Sequence, residues 1–226
     1  MPFPELGARV AEVRQRIQLA ARRAGRGDGV TIVAVTKTHE SDAVMAAWEC
    51  GLADVGENRV QEALAKMPEV TVPVRWHLIG HLQRNKVKAL DRFFLFHALD
   101  SARLADAANE FGLQRQSPVD LLVQVNAAGE ASKGGFSLAE LPAQSVRMAG
   151  MDGLRVKGVM TMARLGAGEA ELRRTFGAAR DARRMLAEAG HAATELSMGM
   201  SGDYEIAVEE GATIVRLGTT LFGVRD

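Results

Sequence analysis

The stretch Val119-Asp120-Leu121-Leu122-Val123-Gln124-Val125 carries apolar residues on both of its period-two faces. A strand with one wet side alternates apolar and polar residues. A strand that is apolar on both sides needs cover on both, which is the condition of a parallel strand overlaid by helices. Outward from this stretch, short β-branched or apolar runs recur at Thr31–Val35, Ala53–Gly56, Arg75–Ile79, Phe94–Leu99, Leu154–Met160, Thr194–Met198 and Thr213–Leu217. Helix-like segments separate them. Ser41 opens one that Gly51 closes, Ser101 opens one that Gly112 closes, Glu169–Ala189 runs into Gly190, and Ser201 opens one that Gly211 closes. Ahead of the first strand, Leu6, Val10, Val13, Ile17, Ala20 and Ala24 mark an extra amphipathic helix, stopped at Gly25 and followed by a Gly27-Asp28-Gly29 loop. Eight strands and seven intervening helical segments predict parallel pairing through right-handed crossovers. Such units close into a single α/β domain over residues 1–226, a (β/α)8 TIM-type barrel with an extra N-terminal helix. An open doubly wound sheet is the alternative that the same alternation allows.

The bulk numbers agree with a globular domain and exclude several function classes. The 226 residues are 47% hydrophobic and 25% charged, enough to bury a large core. Lys plus Arg and Asp plus Glu both count 28, so bulk charge points to neither nucleic acid nor an anionic membrane. One cysteine, Cys50, permits no internal disulfide and no multi-cysteine metal site. Met1-Pro2-Phe3-Pro4-Glu5 is not the start of a signal peptide, and no apolar run approaches the roughly 20 residues of a membrane span. The expectation is a soluble, cytoplasmic, monomeric protein.

Barrel proteins place their sites at the C-terminal ends of the strands. Those ends read Thr36-Lys37-Thr38-His39, Glu57-Asn58, Gly80-His81 with His77 just before, Asp100, Asn126, Ser197-Met198-Gly199-Met200-Ser201-Gly202, and Arg216-Leu217-Gly218-Thr219-Thr220. Lys37 shares a strand face with Val33 and Val35. A lysine on the core face loses hydration, which favours the neutral amine, a nucleophile for an aldehyde. The plainer reading is a strand-end lysine that snorkels to solvent. Ser201-Gly202 and Gly218-Thr219-Thr220 form two small-residue turns after strands seven and eight, where barrels frequently bind phosphate. Each turn alone also reads as an ordinary Ser cap or Gly turn. His77 and His81 are four apart, but on a strand running into a turn that spacing does not bring them together, and no metal site is expected.

At these strand ends the chain resembles the YggS/PROSC family, the pyridoxal phosphate homeostasis proteins. The matching segments are Val33–His39, Gly56–Glu62, Trp76–Lys86, Gln124–Asn126, Leu196–Asp203 and Val215–Gly223, nearly end to end. The resemblance implies a fold-type III barrel like the N-terminal domain of alanine racemase, binding pyridoxal 5′-phosphate. It implies a Schiff base on Lys37, Arg216 against the pyridine nitrogen, and phosphate contacts at Ser201, Gly218 and Thr219. It also implies that Asn58, His77 and Met198 line the pocket. Departures from the family pattern are Thr36 where Ser is commoner, Glu40 where Pro is common, and Arg59 where an aromatic is common.

The implied function is a carrier that buffers a reactive cofactor in vitamin B6 homeostasis, with pyridoxal-phosphate-dependent apo-enzymes as partners and without strong catalysis. The rival is a racemase or another enzyme using the same cofactor. Racemases of this fold add a β-domain and a tyrosine as second acid/base. Here the chain ends at Asp226 and the one tyrosine, Tyr204, falls in the first turn of the helix after strand seven. A metabolite-binding barrel without covalent chemistry is the third reading, and Lys37 argues against it.

Overall fold

Backbone pairing joins eight strands in chain order: β1 (Thr31–Val35), β2 (Asp54–Glu57), β3 (Arg75–Leu78), β4 (Leu95–Leu99), β5 (Val119–Gln124), β6 (Leu154–Met160), β7 (Glu195–Ser197) and β8 (Ile214–Leu217). All pairs are parallel, and β8 returns to β1 through Thr31/Ile214, Ile32/Val215, Val33/Arg216 and Ala34/Leu217. That closing pair rules out the open sheet. This computed structural model describes residues 3–27, 29–130 and 134–223, so Met1, Pro2, Asp28 and Asp226, named above, lie outside the described residues. Each expected strand is present, its ends displaced by at most one residue.

The coat consists of α1 (Leu6–Arg23), α2 (Ser41–Glu49), α3 (Val60–Lys66), α4 (Ala102–Gln114), α5 (Leu141–Ala149), α6 (Glu169–Glu188), α7 (Tyr204–Glu209) and α8 (Thr219–Phe222), with 3-10 turns at Met67–Glu69 and Arg84–Arg92. Their buried faces follow the helical period: Leu172, Phe176, Ala179, Ala182 and Leu186 in α6, and Leu6, Val10, Val13, Ile17 and Ala20 in α1. The extra helix α1 packs on α7 and α8. Arg16 Nε donates to Glu205 at 2.9 Å and Arg23 Nε to Glu209 at 2.7 Å along that seam. These pairs are exposed and contribute little each; the apolar face does most of the holding. The helix thereby braces the elements that follow β7 and β8. No helix among the described residues is long and apolar enough to cross a membrane.

Two boundary expectations are corrected. Ser201 does not open α7; it sits in a turn three residues before Tyr204. Gly112 does not close a helix but lies buried inside α4. A Cβ at Gly112 would stand 2.0 Å from the Gly153 carbonyl oxygen, so this glycine lets α4 touch the backbone ahead of β6. Gly112→Ala should therefore cost about 2–3 kcal/mol or more by overpacking against backbone that cannot yield. Gly27→Ala, with nothing within 4 Å of the new Cβ, should stay within about 0.5 kcal/mol. Urea unfolding measures both, and equal midpoints for the two variants would show the close approach to be absent.

Candidate functional site

Because all strands are parallel, their C-terminal ends converge on one rim, and a cavity of about 900 Å³ opens there. Lys37, Asn58, Ser201, Arg216, Gly218 and Thr219 line it together. The two turns after β7 and β8 meet directly: the Thr220 amide donates to Ser201 Oγ at 3.1 Å. Asn58 is held by close packing, since a Cβ at Gly80 would fall 2.3 Å from the Asn58 carbonyl oxygen. A smaller cavity of about 290 Å³ lies at the other end of the strands beside α1, lined by Arg14, Ile17, Val30 and Asp54.

Lys37 is exposed at the mouth of the cavity, not desolvated in the core as its period-two position suggested. The reason is that β1 ends at Val35 and the chain turns through Thr36-Lys37-Thr38, with Thr38 at φ 66°, an uncommon conformation for a β-branched residue. A buried cluster holds that turn on both sides of the lysine. Thr36 Oγ1 donates to Glu57 Oε1 at 2.7 Å, Lys66 Nζ donates to the Thr36 carbonyl at 2.8 Å, and the Thr38 amide donates to Glu62. Lys66 closes the cluster, donating to Glu57 at 2.8 Å and Glu62 at 3.0 Å. Desolvation pushes the Glu57 carboxyl above its ordinary range despite hydrogen bonds from Lys66 and Thr36. Glu62 is also desolvated, but hydrogen bonds from the Thr38 amide and Lys66 outweigh that and hold it below the ordinary range.

Arg216 is 5% exposed at the floor of the cavity. Its Nη1 donates to Ser197 Oγ at 2.6 Å and its Nη2 to the Thr161 carbonyl at 3.0 Å. Burial brings its pKa down to about 10, with Asp203 working in the opposite direction. It therefore remains a cation and a pure donor at neutral pH. On the far rim His81 Nδ1 and Asp100 Oδ2 are 2.7 Å apart, and both line the cavity.

Two expectations about the pocket are corrected. His77 and Met198 do not line it. Met198 is fully buried in the apolar core. His77 lies inside the barrel, its Nε2 2.9 Å from Asp54 Oδ1 and its Nδ1 2.9 Å from His97 Nε2. A carboxylate on the neighbouring strand and a second imidazole satisfy both ring nitrogens, so the side chain stays below the rim. His81 faces Asp100 instead, and the two histidines four apart have separate partners. Asn126 does not reach the cavity either; it shapes its own loop, donating to the Glu130 carbonyl at 2.8 Å.

Sequence reading missed Lys66 and His97 altogether, and gave no role to Glu57 or to the His81–Asp100 pair. Signals for two of these were present. Glu62 and Lys66 have the i,i+4 spacing of a helical ion pair. A lone histidine in Leu95-Phe96-His97-Ala98-Leu99 must find a partner inside the fold. Burial, then His77 and Arg216, push the His97 imidazole far below its ordinary pKa, so it stays neutral.

The family described as alanine racemase, N-terminal domain, matches residues 9–226. A pyridoxal phosphate homeostasis protein of Pseudomonas aeruginosa is 39% identical over 220 residues, covering 96% of this chain and 94% of the relative. The solved structure of PipY from Synechococcus elongatus with PLP bound is similar at a TM-score of 0.80 and 35% identity, covering 92% of this chain and 99% of that one. Alanine racemase from Corynebacterium glutamicum shares the fold at a TM-score of 0.72 and 15% identity, covering 94% of this chain and 60% of that one.

The neutral His97 has a consequence for stability. In the unfolded chain it takes up a proton near pH 6.5; in the folded chain it does not. Below about pH 6.5 the unfolded state binds more protons, so stability is full above that pH and falls as pH falls. Glu57, raised, works in the opposite sense, but identically in a His97 variant. The slope of unfolding free energy against pH between about 5 and 6.5 should thus be steeper in the natural chain than in His97→Gln. Parallel slopes in denaturant titrations would show that His97 is not held neutral.

Proposed function

Because this chain belongs to the alanine racemase N-terminal domain family and stands with the pyridoxal phosphate homeostasis proteins, we propose that it holds pyridoxal 5′-phosphate in the rim cavity as a carrier, not as a strong catalyst. The observation that carries this reading is the donor set around one cavity: a primary amine at Lys37, a buried guanidinium at Arg216, and the paired Ser201 and Gly218-Thr219 turns. The cofactor has an aldehyde, a ring nitrogen and a phosphate, and the three groups of residues answer them one for one. When bound, it supplies an aldehyde able to condense with a primary amine.

Lys37 would hold the cofactor covalently, as a Schiff base, from a turn fixed by Thr36 and Thr38. Its exposure leaves the attachment open to other amines and to water, which suits a carrier that must release what it holds. Arg216, a donor only, would meet the ring nitrogen without giving up a proton, and an unprotonated ring withdraws electrons poorly. The Ser201 and Thr219 hydroxyls and the turn amides would take the phosphate; charge-assisted bonds of this kind contribute on the order of 1.5–3 kcal/mol each. Asn58 would wall the pocket. The partners on this reading are the cofactor and the apo-enzymes that use it, met in the cytoplasm by a monomer.

Borohydride reduction of the loaded protein should fix a pyridoxyl group on the peptide containing Lys37, and Lys37→Ala should lose the visible chromophore while keeping its circular dichroism spectrum. Modification mapped to another lysine would refute the assignment.

Strong catalysis would need a second acid/base group opposite the lysine. Tyr204 is buried on the α1 side, with the Arg16 guanidinium 5.7 Å over its ring, and does not line the cavity. The His81–Asp100 pair does line it, and this favours the racemase as the second reading. With saturating cofactor, turnover of alanine and serine enantiomers should stay below about 1 per second. Faster racemisation, lost in both Lys37→Ala and His81→Ala, would make the protein an enzyme.

A further inference from the structure

The barrel interior is usually filled by branched apolar side chains. Here five polar ones are joined end to end among the described residues. Arg216 Nη1 lies 2.6 Å from Ser197 Oγ; Ser197 Oγ lies 2.9 Å from His97 Nδ1; His97 Nε2 lies 2.9 Å from His77 Nδ1; His77 Nε2 lies 2.9 Å from Asp54 Oδ1. His97 is on β4 and Ser197 on β7, which are not neighbours in the sheet, so their contact spans the lumen. All five residues are buried.

The two ends of this chain fix its direction. A guanidinium can only donate, so Ser197 Oγ accepts from Arg216. Asp54 also receives Arg75 Nε at 2.7 Å, and although burial acts to raise its pKa, hydrogen bonds from His77 and Arg75 hold it below the ordinary range. It is therefore a carboxylate that can only accept, and the proton on His77 is at Nε2. Two arrangements remain for the middle. In the first, His77 Nδ1 is bare, His97 donates to it from Nε2, and the Ser197 hydroxyl donates to the bare Nδ1 of His97. Every proton then has an acceptor. In the second, His77 carries a further proton, His97 is turned to its Nδ1–H tautomer, and Ser197 accepts twice. That places another cation in a lumen already holding Arg216 and gives the Ser197 hydroxyl proton no acceptor in the chain.

We propose that Arg216, Ser197, His97, His77 and Asp54 form a one-way hydrogen-bond relay across the barrel lumen, in which Ser197 and His97 are positioning residues for the Arg216 guanidinium. The relay holds Arg216 at the cavity floor from below, leaving the cavity side to the ligand. It also ties that position to Asp54, which lines the small cavity at the opposite end of the barrel. The assignment of tautomers stands on these contacts within the lumen and does not depend on what the cavity binds. The consequence for a bound ligand rests on the reading that Arg216 faces the pyridoxal phosphate ring.

Long-range nitrogen–proton correlation spectra of the 15N-histidine-labelled protein without cofactor test the relay. The five imidazoles are separable by single His→Gln variants. At pH 7.5 His77 and His97 should both show the neutral Nε2–H tautomer. A His97 Nδ1–H tautomer, or a doubly protonated His77, would overturn the direction of the relay, whatever the cavity binds. The positioning role is read in the loaded protein. Ser197→Ala should weaken pyridoxal 5′-phosphate binding by about tenfold or more and shift the absorption of the bound chromophore, with Ser197→Thr restoring both. Unchanged affinity and absorption in Ser197→Ala would overturn the positioning role. Failure of the natural chain to bind the cofactor at all would count against the proposed function and leave the spectra to decide the relay.

Discussion

The pairing of β8 with β1 is the constraint on which the site depends. With Ala34 beside Leu217, the register leaves Lys37 three residues beyond the last paired position on one strand and Gly218 one residue beyond it on the other. The amine and the second small-residue turn are thus brought to one rim by backbone hydrogen bonds. The same closure sets Val33 beside Arg216, which fixes the height at which the guanidinium enters the barrel. Helix α1 lies outside this seam and packs on α7 and α8, so a segment with no residue lining the rim cavity backs the two helices that follow its turns.

Burying Arg216 carries a second constraint. A guanidinium does not shed its charge at neutral pH, so the lumen must supply acceptors or the fold bears an unpaired cation. The carbonyl of Thr161 and the hydroxyl of Ser197 meet that need directly, and Asp203 supplies a favourable negative charge. Strands that read as core also carry Asp54, His77, His97 and Ser197, all buried. Asp54 is itself paired with Arg75, and between the two charges Ser197, His97 and His77 each satisfy a neighbour in turn.

The alternation of strands and helices was legible because parallel strands under a helical coat leave a strong apolar rhythm, and β1 to β8 fall within one residue of their expected ends. What period-two reading cannot give is the point where a strand stops. Lys37 shares a face with Val35 on paper, but β1 ends first and the lysine leaves the core. Nor does periodicity reveal partners across a lumen. The family resemblance implied that His77 lines the pocket, yet Asp54 and His97 claim both of its nitrogens. Gly112 reads as a stop for the same reason that it is needed as a contact: the residue without a side chain serves either use, and only the backbone beside it decides.

The two groups proposed to meet the cofactor are held in different ways, and the difference bears on what the site can do. Arg216 is buried and fastened from below through a chain of hydrogen bonds, so it can orient a ring but has no freedom to follow a moving charge. Lys37 is fastened only through its backbone neighbours: Thr36 and Thr38 are bound to Glu57, Glu62 and Lys66, while its own side chain is exposed. Efficient proton transfer needs the reverse, a confined base in a dry site with a partner on the opposite face. A fixed floor with an open, reachable amine instead favours firm orientation together with exchange. That combination suits holding a reactive aldehyde and passing it on better than it suits turning over an amino acid.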